Sequence, residues 1–227
     1  MQNNALNIVF EDKEIAVFVK PQGVFSEGGA PNITELLHQY WGKEHYVGLV
    51  HRLDVNTAGL MVAAKTPLSA KNLSKQITDG DFQKIYLAAV EGEVADEGTW
   101  QDYLFKDGRQ NKVFVVKNKR KGAKEAILSY RIVARACNEK GAYSLAEVHL
   151  QTGRTHQIRV QFASRGFPLV GDGKYGSKDN HAKCALFAYK LAFKHPQSGE
   201  TLVFEQKPDR ESYPWNIFKE KRGNDDK

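Results

Sequence analysis

The sequence predicts a single α+β domain built on one extended mixed or antiparallel β-sheet. The chain has 227 residues, 41% of them hydrophobic, which is enough for a substantial core. Apolar residues show helical spacing in three segments, whereas residues 82–152 consist mainly of alternating or β-branched runs. Because no internal repeat or Pro/Ser-rich linker divides the chain, we expect residues 1–215 to form one domain, with two halves sharing the sheet, and residues 216–227 to form a flexible tail.

The N-terminal third combines a strand pair with two helices. Apolar runs at 8–10 and 15–19 flank a charged turn and predict a hairpin. Apolar residues at i, i+3, i+4 and i+7 predict a helix over residues 32–42 that stops at Gly42. A similar pattern predicts a second helix over 67–80 that stops at Gly80. Between the two helices, residues 49–66 have the apolar density of a buried strand.

The rest of the chain has β character with one further helix. Strands are predicted within residues 82–94, 112–117, 125–137, 143–152, 184–193 and 201–206. The segment RTHQIRVQFASRG returns to helical spacing, with Thr155 as the predicted cap and Gly166 as the predicted end. The glycine-rich GDGKYG, residues 171–176, is interpreted as a tight turn rather than a phosphate-binding loop.

Charge and motif content narrow the function. Lys and Arg exceed Asp and Glu by 33 − 27 = 6, which favours a polyanionic partner such as nucleic acid. The sequence contains no P-loop, no Gly-x-Gly-x-x-Gly after a strand, no His-Glu-x-x-His and no Gly-x-Ser-x-Gly. Nucleotide hydrolysis, dinucleotide redox chemistry, zinc hydrolysis and serine-esterase chemistry therefore lose support.

Cysteine usage and the N-terminal segment bear on location. Cys137 and Cys184 are far apart and form neither a zinc-binding nor a disulfide pattern, as in a cytosolic protein with reduced thiols. The N-terminus lacks a basic segment followed by an apolar one, and no apolar run approaches the length of a membrane span. We therefore expect a cytoplasmic protein with no membrane contact, and a monomer by default.

The run LVHRLDVNTAGLMVAAKT, residues 49–66, places Asp54 among apolar residues. An ionised carboxylate in such surroundings costs several kcal/mol unless it is paired. Taken alone, Asp54 fits a turn or N-cap position. Taken with other charged or aromatic residues in apolar contexts, it suggests an aspartate that a buried arginine keeps ionised beside a tyrosine, acting as nucleophile or general base. Spacing alone does not show that these residues meet.

The same run closely resembles the signature of RluA-type pseudouridine synthases: His-Arg-Leu-Asp, two variable residues, Thr-Ser/Ala-Gly-Leu and a later Ala-Lys. Three further segments occur in the family's order: VFVKPQGVFS, KIYLAAVEGEV and GRTHQIRVQFASRGFPLVGDGKYG. The resemblance extends from about residue 8 to about residue 206. It implies the pseudouridine synthase fold, with helices and sheet around a central catalytic cleft, and isomerisation of uridine to pseudouridine in RNA with neither cofactor nor metal.

The resemblance also implies roles for individual residues. Asp54 matches the family's catalytic aspartate, which acts at the ribose or at the base. Tyr86 matches the tyrosine that stacks on the target base and is a candidate for removing the proton from carbon 5. Arg154 matches the arginine that pairs with the aspartate. Arg52 is expected to help turn the base out of the RNA, although a phosphate contact or a structural ion pair is the open alternative.

A second set of residues is expected to bind the substrate, on the same resemblance: His51, Thr57, Lys84, His156 and Arg159. We interpret the two histidines as structural hydrogen-bonding groups rather than acid–base groups. Lys20, Pro21 and Gly23 are expected to shape a turn near the cleft. The chain departs from the family at Leu186, Phe187 and Ala188, where members commonly have Leu-His-Ala.

Longer members also have a small RNA-binding domain before the catalytic one, and barely seven residues precede the first predicted strand here. We therefore expect the catalytic domain to hold the RNA alone. A basic run in a predicted hairpin loop is either an additional RNA contact or a solvated loop tip: Lys117, Lys119, Arg120, Lys121 and Lys124.

Three functions remain open on the sequence. The first is a metal-independent isomerase acting on structured ribosomal or transfer RNA. The second is a catalytically silent RNA-binding or chaperone module of the same fold, which would need only the basic residues. The third is a carboxylate-based nucleoside glycosidase, which would release free base.

Overall fold

The computed structural model describes residues 6–179 and 181–219, and eleven strands of that region form one mixed sheet. The strands are β1 (Asn7–Glu11), β2 (Ile15–Lys20), β3 (Gly48–Leu49), β4 (Ala58–Ala64), β5 (Gln83–Glu91), β6 (Glu97–Asp107), β7 (Lys112–Val116), β8 (Ala123–Asn138), β9 (Gly141–Leu150), β10 (Leu186–Lys194) and β11 (Thr201–Glu205). The helices are α1 (Ile33–Trp41), α2 (Pro67–Asp79) and α3 (Gln157–Ala163), with short 3₁₀ turns at Gly173–Tyr175 and Trp215–Phe218. The α+β prediction is confirmed.

The sheet divides near its centre, and this division creates the cleft. The main strand order is β1-β2-β4-β10-β5-β9-β8-β6-β7. Strands β4 and β10 are parallel and pair only through Ala58 with Phe187 and Gly59 with Ala188. Beyond these pairs the two strands take different partners: β3 pairs with the end of β4, and β11 pairs with the rest of β10. The segment that leads into β4 and the first residue of β10, Leu186, line this cleft.

Two helices cover the N-terminal half of the sheet and begin where their caps predict. The Asn32 side chain accepts from the backbone N–H of Glu35 at the start of α1, and Thr66 accepts from Ser69 at the start of α2. Gly80 ends α2 in the left-handed conformation. The two-residue alternation of β2 and β4 separates two hydrophobic clusters. One contains Phe18, Leu37 and Met61, and the other contains Val17, Leu60 and Leu73.

Three local predictions differ from the structure. Residues 49–66 are not one strand: β3 ends at Leu49, a loop follows, and β4 begins at Ala58. Thr155 does not cap α3, because the helix begins after His156, whose φ of +52° lies in the left-handed region. Strand β6 was not predicted, since its many polar residues and half-exposed faces give a weak apolar signal.

The predicted hairpin, the first two helices and the late strands are confirmed by the observed elements. Most of the predicted tail, residues 220–227, lies outside the described residues. Within the described residues, no helix is long and apolar enough to cross a membrane.

Candidate active site

A cavity of about 940 Å³ opens beside the β4–β10 pair and brings together most of the predicted site residues. Eight of the nine predicted catalytic and substrate-binding residues line it: His51, Arg52, Asp54, Thr57, Lys84, Tyr86, Arg154 and His156. They come from the β3–β4 loop, from β5 and from the segment before α3, which are distant in sequence. The cavity lies at the upper end of the volume range typical of ligand sites.

Asp54 sits in the loop between β3 and β4, which is fixed on both sides. The backbone N–H of Thr57 donates to the Asp54 carbonyl at 2.9 Å, and Gly23 donates to the next carbonyl, Val55, at 2.8 Å. The buried Ser26 hydroxyl accepts from the Leu53 N–H at 3.0 Å and donates to the Leu53 carbonyl at 2.8 Å. The Asp54 side chain is 25% exposed and faces the cavity. The loop thus holds one partly buried carboxylate at the cavity wall.

The arginine that contacts Asp54 is Arg159, and the predicted Asp54–Arg154 pair is not formed. Arg159 Nη1 lies 3.5 Å from Asp54 Oδ2. The exposed Arg154 instead donates through Nε to the Glu125 carbonyl at 2.8 Å. The physical reason is position: Arg159 lies within α3 and is 2% exposed, whereas Arg154 belongs to the surface turn before the helix.

Asp172 holds the Arg159 guanidinium in place. Arg159 Nε and Nη2 donate to the two oxygens of Asp172 at 2.6 and 2.8 Å, and Asp172 is 2% exposed. Burial alone would lower the pKa of Arg159, but the bonds to Asp172, with further support from Asp54, raise it above its ordinary value. The GDGKYG segment is therefore a tight turn, as predicted, that also supplies a buried carboxylate which sequence reasoning missed.

Tyr86 lies in β5, two strands away from β4, the strand that follows the Asp54 loop. It pairs with Ala188 of β10, the same residue that pairs with Gly59 of β4, so the three positions lie in one row across the sheet. The Tyr86 side chain is buried and lines the cavity. Burial, reinforced by the negative charge of Asp54, raises the pKa of Tyr86 well above its usual value. The phenol is therefore protonated at neutral pH.

The two histidines near Asp54, His51 and His156, differ in their contacts. His51 Nε2 accepts from the Val62 N–H at 3.1 Å, so the ring proton is on Nδ1, and burial, with a contribution from Lys84, lowers the pKa of His51 to about 3. This geometry agrees with the structural hydrogen-bonding role expected for His51. His156 is different, because its Nε2 lies 3.9 Å from Asp54 Oδ2.

Two lysines near the cavity are buried to different extents. Lys84 lines the wall, and burial lowers its pKa. Lys20 is fully buried, with Nζ donating to the carbonyls of Pro21 at 2.9 Å and Val24 at 2.7 Å. Burial lowers the pKa of Lys20 to about 8, and the Asp54 charge partly offsets this. The sequence predicted that Lys20 shapes a turn. Its position at the end of an apolar run was the sequence signal for a buried cation beside the cavity.

Arg52 and the basic run lie at the surface. Arg52 is exposed at the cavity wall. The residues Lys117 to Lys121 form the loop between β7 and β8, and Lys124 lies at the start of β8. All five cations of the run are exposed, and the Arg120 guanidinium lies 4.1 Å from the centre of the Phe105 ring. The prediction of a hairpin loop is wrong: β7 and β8 both pair with β6 and lie on either side of it, so the loop connects two strands that are not paired with each other. None of its cations lines the cavity.

Comparisons with known proteins first identify the fold. The human RNA pseudouridylate synthase domain containing 1 superposes with a TM-score of 0.78 at 21% identity, covering 92% of this chain and 87% of that chain. The human RNA pseudouridylate synthase domain containing 4 superposes with a TM-score of 0.73 at 23% identity, covering 90% of this chain and 89% of that chain. The fold is that of the pseudouridylate synthases.

Sequence comparisons then identify the family. A family model described as RNA pseudouridylate synthase matches residues 14–164. An uncharacterized RNA pseudouridine synthase of Aquifex aeolicus is 37% identical, covering 94% of this chain and 74% of that protein. The ribosomal large subunit pseudouridine synthase D of Neisseria meningitidis is 36% identical over 88% of this chain but only 58% of its own length. The chain belongs to the RNA pseudouridylate synthase family, a family of isomerases.

Proposed function

We propose that this chain converts particular uridines of structured RNA to pseudouridine, with Asp54 as the indispensable carboxylate and with no metal or cofactor. In this reaction the bond between ribose C1′ and uracil N1 breaks and a bond between C1′ and C5 forms. The hydrogen of C5 is lost as a proton, and N1 gains a proton, so the reaction is a net isomerisation. The observation that supports the proposal most strongly is the position of Asp54 beside Arg159 and Tyr86 in a single cavity.

The cavity suits a reaction in which a base is briefly detached. The uracil must turn and rejoin its ribose without diffusing away, which an enclosing wall favours. The Tyr86 ring provides a flat surface against which the base packs, and its raised pKa argues against a phenolate base. The target base must first leave the RNA stack, at a cost of a few kcal/mol. In this proposal Arg52, which is exposed beside the cavity, occupies the vacated position.

In this proposal the two arginines exchange the roles that the sequence predicted for them, which were aspartate pairing for Arg154 and substrate binding for Arg159. Arg159 contacts and positions the Asp54 carboxylate from behind the cavity wall. Arg154 faces solvent at the wall, where a substrate phosphate or sugar would pass. Lys84, half-buried in the same wall, has no hydrogen-bond or ion-pair partner among the described residues. A cation left unpaired in an RNA-facing wall favours a phosphate contact, because a phosphate would compensate its desolvation.

The basic run and the net charge of +6 support the RNA substrate more generally. Cations of the β7–β8 loop would contact phosphates outside the cavity and add a salt-dependent, sequence-independent contribution to binding. Because several relatives are named ribosomal large subunit pseudouridine synthase D, we place ribosomal RNA first among the substrates to test, with transfer RNA second.

The test is release of tritium from RNA labelled at C5 of uridine, with chelator present and no metal added. Ribosomal and transfer RNA transcripts serve as substrates, and nuclease digestion followed by chromatography identifies the product. We expect tritium release and pseudouridine from the wild type and neither from Asp54→Asn. The matched control is Asp81→Asn, an exposed aspartate that does not line the cavity.

Each outcome distinguishes a competing function. Tritium release that persists in Asp54→Asn contradicts the role of the carboxylate. Activity that appears only when a divalent metal is added contradicts metal independence. Free uracil in place of pseudouridine indicates a glycosidase. RNA binding without tritium release from any transcript indicates the silent binding module.

A further inference from the structure

The Tyr175 hydroxyl links the backbone of β7 to the imidazole of His156. It lies 3.0 Å from the backbone nitrogen of Val113 and 2.7 Å from His156 Nδ1. The Tyr175 side chain is buried, and only 12% of the His156 side chain is exposed. The aromatic ring of Tyr175 also packs against the Arg159 guanidinium, with 5.1 Å between guanidinium carbon and ring centre. Tyr175 thus contacts both groups that face Oδ2 of Asp54.

The hydrogen bonds determine which imidazole nitrogen holds the proton. The Val113 N–H can only donate, so it occupies one lone pair of the Tyr175 oxygen. Within residues 6–179 and 181–219, His156 Nδ1 is the one remaining group at hydrogen-bond distance from that hydroxyl. Because a buried hydroxyl rarely leaves its hydrogen unpaired, we infer that this hydrogen points at Nδ1, the one acceptor within reach among the described residues. A neutral imidazole that accepts through Nδ1 has its proton on Nε2.

The charges around His156 support the neutral form. Burial lowers the pKa of His156. Asp54 and Asp172 act in the opposite direction, whereas Arg159 and Lys174 add to the lowering, and the net change is downward. At neutral pH the ring is thus uncharged, and its single N–H is available on Nε2.

The Nε2–H and the Arg159 guanidinium face the same carboxylate oxygen. His156 Nε2 lies 3.9 Å and Arg159 Nη1 lies 3.5 Å from Oδ2 of Asp54. No described side chain or backbone donor lies within hydrogen-bond distance of Oδ1. The backbone also fixes this placement, because His156 adopts a left-handed conformation that histidine seldom takes, and its carbonyl accepts from Val160 at 2.9 Å.

We propose that Tyr175 is a positioning residue: it locks His156 in the Nε2–H tautomer, so that His156 and Arg159 together hold Oδ2 of Asp54 and leave Oδ1 as the oxygen that acts on the substrate. The tautomer is a property of the free protein. The assignment of Oδ1 rests on the proposed function, since it concerns the isomerisation.

The tautomer is read directly by two-bond proton–nitrogen NMR on protein labelled with ¹⁵N-histidine. The His156 signals are assigned by their loss in His156→Asn, since asparagine tolerates the left-handed backbone. We expect a protonated Nε2 and an unprotonated Nδ1 in the wild type at pH 7. In Tyr175→Phe we expect a mixture of tautomers. Protonated Nδ1 in the wild type, or an unchanged tautomer in Tyr175→Phe, overturns the proposal.

Kinetics test the consequence for the reaction, using the RNA that the tritium assay identifies. Tyr175→Phe retains the ring and its contact with Arg159 and removes only the hydroxyl. We expect turnover to fall about five-fold with KM unchanged, because of the two hydrogen bonds lost the one to His156 is the bond that bears on Asp54. The matched control is Tyr189→Phe, which removes a buried tyrosine hydroxyl bonded to Glu147, outside the cavity.

A double variant separates positioning from general destabilisation. If Tyr175 acts through His156, then Tyr175→Phe has no further effect on turnover in a His156→Asn background. Additive losses contradict that coupling, as does an equal loss in Tyr189→Phe. Should Tyr175→Phe fail to fold, the wild-type spectrum still decides the tautomer. A wild type with the expected tautomer but no tritium release refutes the proposed function and leaves the tautomer lock standing.

Discussion

Replacing Arg159 by methionine should destabilise the fold strongly, whereas the same change at Arg154 should not. Arg159→Met preserves a long side chain in a site that is 2% exposed, but it leaves Asp172 buried without its cation. Removing one partner of a buried ion pair costs about 3–5 kcal/mol. For a chain of this size that corresponds to a fall in Tm of roughly 6–20 °C. Arg154→Met loses one exposed hydrogen bond, worth about 1 kcal/mol or less.

The assay is equilibrium unfolding in urea, which adds no salt to screen the ion pair, followed by tryptophan fluorescence and circular dichroism. The decisive variant is the double change Arg159→Met/Asp172→Asn, which removes the buried negative charge as well. We expect it to recover up to about 3 kcal/mol relative to the single variant. Tritium release should remain lost, because Asp54 still lacks its arginine.

Three results would refute the reasoning. If Arg154→Met costs as much stability as Arg159→Met, the buried pair is not the source of the effect. If the double variant is no more stable than Arg159→Met, the unpaired Asp172 carboxylate is not the cause of the instability. A double variant that regains full activity would show that Asp54 does not depend on Arg159.

Three further predictions concern the sheet, acid stability and RNA binding. Gly59→Ala should lower the free energy of unfolding, measured by thermal unfolding, by about 3 kcal/mol or more, because a Cβ at φ +122° would lie 2.3 Å from the Ala188 carbonyl oxygen. The control is Gly108→Ala, where a Cβ would meet no atom within 4 Å. Burial alone would raise the pKa of Glu147, but its hydrogen bonds outweigh burial and lower this pKa from 4.5 to about 2. Up to about 3 kcal/mol of folding stability, present above pH 4.5, should therefore be lost as the pH falls toward 2, and Glu147→Gln should show a flatter dependence of stability on pH. Neutralising the loop cations Lys119, Arg120 and Lys121 should weaken RNA binding and reduce the slope of log affinity against log salt concentration by roughly 2–3. An unchanged slope would show that the loop does not contact the RNA.

Local patterns predicted most of the fold because they depend on near neighbours. The helices α1 and α2 begin at side-chain caps and end at glycines that are visible in the sequence. Strand β6 and the break within residues 49–66 were missed for physical reasons. The former has polar residues on half-exposed faces, and the latter reverses direction through tertiary hydrogen bonds from Gly23 and Ser26 that no local pattern encodes.

The candidate site was predicted in part by its motifs. The family resemblance placed Asp54, Tyr86 and Arg154 in one catalytic set, and all three line the cavity. The same motifs led to the wrong arginine, because Arg154 and Arg159 stand in one short segment and differ only in how the chain turns between them. The left-handed backbone at His156 starts α3 late and directs Arg159 inward while Arg154 stays at the surface.

The sequence by itself determined the fold class, the family and the carboxylate on which the proposed chemistry depends, since these follow from periodicity, caps and ordered motifs. Only the tertiary structure decided which groups surround that carboxylate. Asp172, Tyr175 and Lys20 belong to segments that the sequence predicted to be turns, although Lys20 ends strand β2. Folding brings Asp172 to Arg159, Tyr175 to His156, and Lys20 close enough to Asp54 for their charges to interact. Ion pairs and tautomers depend on distances of a few ångströms between distant parts of the chain, and those distances are set by packing.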